Sequence, residues 1–330
     1  MDIIELLAFT VKKKASDLHI SADLPPICRI DGALRRLAMS SLSQTQIFSL
    51  LQSIMSAKQF KILADQLDID FSFEIKNLSR FRANVYHQRK GLAAVFRPIA
   101  RKVPTLQELG LPKVIQQLTQ LKNGLILVTG PTGCGKSTTL AAMIDFINEK
   151  NACHIITIED PVEYIFESKK SLISQREIYQ DSRDFNSALR AGLREDPDII
   201  FVGELRDSET IRLALTAAET GHLVLASLHT TSAAKTINRI VDVFSAAEKD
   251  TVRTMLAESL QAVIAQVLIN NIPQGRTAAL EIMLCTPAIR HLIRENKIAQ
   301  IYSVIQAGQT HGMQTFQQHL QQLNHHKETT

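Results

Sequence analysis

The sequence predicts an α/β protein, with a parallel sheet covered by helices in its larger C-terminal part and a smaller α+β domain before it. Three observations lead there. From Asn123 onward, short apolar runs alternate with helical stretches, the pattern of strands and helices in a parallel sheet. A glycine-rich turn at 130–138 joins one such run to one such stretch. The first hundred residues instead mix helical periodicity with short runs of alternating polarity.

The 330 residues are enough for two domains. We expect an α+β domain over 1–100, a linker over 101–122 and an α/β domain over 123–330. In the first domain, residues 3–11 suit a helix, and 19–20 and 26–30 suit short strands, the second ending in a turn at Asp31 and Gly32. Residues 43–67 have helical periodicity, with Ile47, Leu50, Leu51 and Ile54 at i, i+3, i+4 and i+7. Residues 70–74, 81–86 and 91–97 then form an antiparallel series. Pro98, Pro104 and Pro112 mark the linker, which holds one short helix around 114–121.

The second domain alternates strand and helix: 125–129 with 136–148, then 154–158, 184–194 with 199–202, 208–219 with 223–228, and 233–243. Residues 246–268 and 286–297 are expected to add a helical C-terminal part. No internal repeat is evident, and the polar tail 323–330 is expected to fray.

Composition removes several classes of function. The chain is 45% apolar and 21% charged, as ordinary globular proteins are, and its net charge of +4 is spread among acids. Aromatic residues make up 5% and Trp is absent, so stacking platforms for single strands are scarce. No nucleic-acid partner is expected. Cys28, Cys134, Cys153 and Cys285 lie far apart, which excludes a tetracysteine zinc site and suits a reducing cytoplasm. The N-terminus has acids before its apolar stretch and lysines after it, the reverse of a signal peptide. No apolar run is long enough to span a bilayer.

Gly130, Pro131, Thr132, Gly133, Cys134, Gly135, Lys136 and Ser137, followed by Thr138, fit the pattern G-x-x-x-x-G-K-[ST]. Its glycines let the backbone wrap a polyphosphate, with consecutive N–H groups turned inward. The helix that follows adds unpaired amides and a favourable dipole. Lys136 can reach the β- and γ-phosphates of ATP, and the Ser137 hydroxyl can ligate Mg²⁺. An apolar run before the loop and an amphipathic stretch after it supply the strand–loop–helix context the motif requires. Cys134 is expected to be inert.

In a parallel sheet, ligands bind at the carboxyl ends of strands. Acids fall there twice: Glu159, Asp160 and Glu163 after one strand, and Glu204 after another. Each can face a phosphate and its Mg²⁺, Asp160 as a metal ligand. Glu204 is the first candidate to orient or deprotonate the attacking water, and Glu163 the second. His222 and His229 bracket the strand Leu223–Leu228. Seven residues of strand span about 23 Å. His229, at the carboxyl end, is therefore the candidate phosphate sensor, and His222 a relay or subunit-contact residue.

Four ordered boxes carry a resemblance: 130–138, 158–163, 194–207 and 220–231 resemble the Walker A, Asp, Walker B and His boxes of secretion-superfamily ATPases. Within them the chain looks like the type IV pilus retraction ATPases, over nearly its whole length. It lacks the zinc-binding tetracysteine insert of the polymerising and secretion members, so no zinc is expected. Ala288, Ile289, Arg290, His291, Leu292, Ile293, Arg294 and Glu295 resemble a retraction signature whose fourth residue is usually Asn. His291 departs from it. Thr286 can cap this helix and Pro287 start it, with Ile289, Leu292 and Ile293 as its buried face.

The resemblance implies a homohexamer of chains, each with a PAS-like domain followed by a RecA-like domain, and the nucleotide between them. It implies cytoplasmic ATP hydrolysis with Mg²⁺ that drives pilus retraction and twitching motility. It also implies docking on an inner-membrane platform protein, with a paralogous retraction ATPase as a further partner. Arg80, Arg82 and Arg97 are the candidates for arginines that reach phosphate.

Overall fold

The structure is a computed structural model that describes residues 2–99, 102–271 and 275–328. Met1, Ala100 and Arg101, at the expected domain edges, and Thr329 and Thr330 of the expected tail lie outside the described residues. The chain divides into two units, Met1–Lys102 with Pro161–Ile165, and Val103–Asp160 with Phe166–Thr330.

The first unit contains α1 (Ile3–Lys12), β1 (Asp17–Ser21), β2 (Ile27–Ile30), β3 (Ala33–Arg36), α2 (Gln44–Gln52), α3 (Ala57–Gln66), β4 (Asp68–Ile75), β5 (Ser79–Gln88) and β6 (Gly91–Ile99). Its strands form one antiparallel sheet in the order β3-β2-β1-β6-β5-β4. Alternation sets the faces. Phe81, Ala83 and Val85 of β5 are buried with the apolar stripes of α1 and α2, while Arg80, Arg82 and Asn84 occupy the other face.

The helical periodicity over 43–67 belongs to two helices, α2 and α3. Ser56 restarts it: its hydroxyl accepts the Gln59 N–H, and the Gln59 side chain accepts the Ser56 N–H. Ser43 and Gln46 build the same reciprocal cap on α2. Apolar periodicity running through both helices conceals the break between them.

The second unit contains α4 (Lys113–Leu118), β7 (Gly124–Thr129), α5 (Lys136–Lys150), β8 (His154–Glu159), β9 (Leu172–Glu177), α6 (Phe185–Gly192) and β10 (Ile199–Val202). There follow α7 (Ser208–Glu219), β11 (Leu223–Leu228), α8 (Ala233–Asp242), α9 (Lys249–Ser259), β12 (Leu260–Asn271), β13 (Gly275–Leu284), α10 (Pro287–Arg294), α11 (Ile301–Ala307) and α12 (Phe316–Glu328). The sheet order is β13-β12-β7-β11-β10-β8-β9. All neighbours are parallel except the β12–β13 hairpin, so the sheet is mixed at one edge. Every residue of β7 and β11 is buried, which a parallel sheet covered on both faces demands. Leu125 and Leu127 pack with α7 to α10, and α5 lays Leu140, Met143, Ile144 and Ile147 on the opposite face.

Three segments differ from the sequence expectation. Residues 103–122 belong to the second unit and bury Leu106, Val114, Ile115 and Leu118. The helical reading of 246–268 fails after Ser259, where the chain becomes β12. The run 262–268, apolar except for Gln266, has no period that separates strand from helix, and its β-branched Val263, Ile264 and Val267 favour the strand. In the expected tail, α12 continues to Glu328.

Candidate functional site

Parallel register brings four chain segments out of the sheet at one rim. Val202 pairs with Ile158 and with Ala226, and Leu228 pairs with Thr129. Gly130, Asp160, Glu204 and His229 therefore leave their strands at the same edge, where α/β proteins bind ligands.

The loop after β7 is shaped for an anion. Gly130 has φ 148°, and a Cβ there would come within 2.2 Å of the Gln266 carbonyl oxygen. Only glycine fits. Gly135 (φ 89°) opens α5 with no side-chain cap, and the N-terminal end of a helix favours an anion. Gln266 of β12, 1% exposed, braces the loop from behind. Its Nε2 donates to the Cys134 carbonyl at 2.5 Å, and its Oε1 accepts from the Thr139 hydroxyl at 2.9 Å. Burial pushes the Cys134 thiol up from its ordinary value against the pull of Lys136, which makes it a poor nucleophile.

Lys136 is 8% exposed, and its Nζ donates to the carbonyls of Gly130 (2.9 Å) and Pro131 (3.2 Å). The same Nζ lies 3.3 Å from His229 Nδ1. An ammonium has only donors, so Nδ1 accepts and the ring hydrogen resides on Nε2. Nε2 faces Glu204 Oε1 at 3.4 Å, and Arg206 Nε donates to Glu204 Oε2 at 2.8 Å. Arg206 also stands 3.8 Å from Asp160. The phosphate-loop lysine, the histidine after β11 and the carboxylate after β10 thus form one polar chain.

The remaining candidates are placed as follows. Asp160 joins this rim through Arg206, while Glu163 lies in the 161–165 segment that groups with the first unit. Glu159 is buried and accepts from the Thr157 hydroxyl and the Gln175 amide. His222 lies at the opposite rim, where its Nδ1 donates to the Ala217 carbonyl at 2.9 Å near the end of α7. Arg80, Arg82 and Arg97 project from β5 and β6, where Arg80 bonds Ser72, Arg82 grips Asp70, and Arg97 holds Asp17 at 2.8 Å. In α10, Ile289, Leu292 and Ile293 are buried and His291 is exposed. Arg290 caps the end of α9 by donating to the carbonyls of Ala257 and Glu258, and Arg294 pairs with Glu258 at 3.6 Å.

Residues 2–274 match the type II/IV secretion system protein family. The chain belongs to that family. Among relatives in the secretion family, it is 59% identical over 315 residues to the type IV pilus retractation ATPase PilT of Pseudomonas aeruginosa, covering 96% of this chain and 92% of that protein. It is 54% identical over 322 residues to a twitching motility protein of Neisseria gonorrhoeae, covering 97% and 86%. It is 37% identical over 324 residues to the type IV pilus ATPase PilU of Pseudomonas aeruginosa, covering 98% of this chain and 85% of that protein. A crystal structure of the pilus retraction motor PilT with bound ADP superposes with TM-score 0.91 at 48% identity, covering 98% of this chain and 93% of that one.

Sequence reasoning missed Gln266 and Arg206. A signal existed for each: Gln266 is the one polar residue among the seven of 262–268, and a buried amide must find partners. Arg206 lies between two acids of the Walker B box, Glu204 and Asp207.

Proposed function

We propose that this chain is the ATPase that powers retraction of type IV pili, working as a ring of six in the cytoplasm. The observation that carries the reading is the chain of contacts from Lys136 through His229 to Glu204, at the mouth of a phosphate loop. It links the group that would hold the γ-phosphate to the carboxylate that would act on water.

The ATP phosphates would lie along the loop amides and the start of α5, with Lys136 on the β- and γ-oxygens. The Ser137 hydroxyl and the Asp160 carboxylate are hard oxygen donors that suit Mg²⁺, whose charge would offset that of the phosphates. Glu204 would orient the water or take its proton, with Glu163 as the alternative. Arg206 and His229 approach different oxygens of Glu204, which fixes the direction of its lone pairs. A γ-phosphate that draws Lys136 away would free His229 Nδ1, so His229 would report phosphate to Glu204.

Arg80, Arg82 and Arg97 are proposed as phosphate contacts supplied from a neighbouring copy. Present pairing does not bar them. A partly exposed pair such as Arg82–Asp70 is worth about 0.2–1 kcal/mol, whereas a hydrogen bond to a charged group contributes about 1.5–3 kcal/mol. Among the described residues no helix is long and apolar enough to cross a membrane, so force would reach the pilus base through a membrane platform protein. The greater identity to PilT than to PilU supports the main retraction ATPase over its accessory paralogue.

Deletion of the gene, scored for surface pili and twitching, tests the direction of force. Abundant pili without motility is the expected result. Bald cells would instead assign the motor to polymerisation.

A further inference from the structure

Glu281 is a carboxylate where composition argues against one. It sits in β13 within the apolar run 278–284, 4% exposed. Burying such a group without a partner is costly. Its partner is the backbone N–H of Ala233, which donates to Oε1 at 2.8 Å. Ala233 is the first residue of α8, so that N–H has no acceptor within the helix, and the helix end favours a negative neighbour. Burial pushes the Glu281 carboxyl up from its ordinary value, and the Ala233 hydrogen bond pulls it back.

Three residues, Thr230, Thr231 and Ser232, separate this anchor from His229. They are tied to the helix that follows. The Thr230 and Thr236 hydroxyls lie 2.7 Å apart, Lys235 Nζ donates to Thr231 Oγ1 at 3.3 Å, and Ser232 Oγ accepts the Lys235 N–H. Residues 230–236 therefore behave as one piece, and Glu281 joins that piece to the sheet edge.

The register gives the join its consequence. Glu281 stands opposite Ala265, Ala265 opposite Thr129, and Thr129 opposite Leu228. One row across the sheet thus holds the residue before Gly130, the residue before His229, and the anchor of α8. The row is also fixed from outside. Ile282 exchanges backbone hydrogen bonds with Gln314, and His319 Nδ1 accepts the Leu280 N–H at 2.9 Å. These contacts flank Glu281 on the free edge of β13.

We propose that Glu281 is the positioning residue for His229, holding the start of α8 so that the imidazole meets Lys136 and Glu204 together. The inference rests on the reading of these three residues as one ATP site. Glu281 acts through the loop and touches neither nucleotide nor water.

The test compares ATP turnover, binding of a fluorescent ATP analogue, and thermal melting for the full chain and its variants. Glu281→Ala should lower kcat on the order of 10²-fold while KM and analogue affinity stay within about threefold, because the Lys136 loop is untouched. Glu281→Gln, whose amide oxygen accepts the same N–H, should recover kcat to within about threefold of wild type. Ala233→Pro removes the donor instead, and proline suits a first helical position, so it should reproduce the kcat-selective loss even if Glu281→Ala does not fold. With His229 already replaced by Ala, Ala233→Pro should cost nothing further.

Ala233→Pro at near wild-type kcat, a loss that simply adds to that of His229→Ala, or an equal loss of affinity and kcat would each overturn the proposal. Wild-type turnover measured alongside separates this failure from a failure of the ATPase reading itself.

Discussion

The two rims of the second unit's sheet give the same residue type different partners. At the carboxyl rim, His229 accepts at Nδ1 from a lysine and faces a glutamate with Nε2. At the amino rim, His222 donates from Nδ1 to the Ala217 carbonyl, and His154 Nδ1 meets the Asp196 carbonyl at 3.1 Å while its Nε2 meets the Ser174 hydroxyl. The amino-rim rings are tied to backbone and a hydroxyl, the partners of structural staples. The carboxyl-rim ring bridges two ionisable side chains, and its tautomer is set by one of them. Position next to a strand is common to all three rings; what differs is the chemistry of their partners.

The strongest way to break that contrast is at the phosphate loop. Lys136→Ala should abolish measurable hydrolysis and most nucleotide affinity, because it removes the one ammonium held inside the loop by the Gly130 and Pro131 carbonyls. Near-normal turnover would take the carboxyl rim out of catalysis. The next effect is at Glu204. Glu204→Ala should leave analogue binding intact and lower turnover by ~10²–10⁴-fold, as loss of a general base or water-positioning group does. A loss of only a few-fold would move that role to Glu163.

Much of the carboxyl rim was legible because its signals are local. A phosphate loop declares itself within nine residues, and apolar runs ending in acids mark strand ends. What supports the rim was not legible. Gln266 and Glu281 come from the β12–β13 hairpin, whose first strand the apolar run disguised as a helix. Their partners, Cys134 and Ala233, are distant in sequence, and no spacing rule connects them. The edge strand β9, with Ser174, Gln175 and Arg176 in it, alternates too weakly to stand out. The break between α2 and α3 was written in two Ser-x-x-Gln caps, at Ser43 and Ser56, and periodicity overrode them. Arg290 shows the same limit: its place on the signature helix was readable, but its use as a cap for α9 depends on tertiary contact.

The comparison of rims is tested most directly by replacing one histidine at each and measuring kcat and the melting midpoint together. His229→Ala should lower kcat on the order of 10²-fold with little change in melting, since it removes a donor aimed at the reacting groups. His222→Ala should cost about 0.5–1.5 kcal/mol of stability, the worth of one intramolecular hydrogen bond, and leave kcat within about threefold of wild type. The reverse pattern, with turnover lost at His222 and kept at His229, would contradict the account and make His222 the relay.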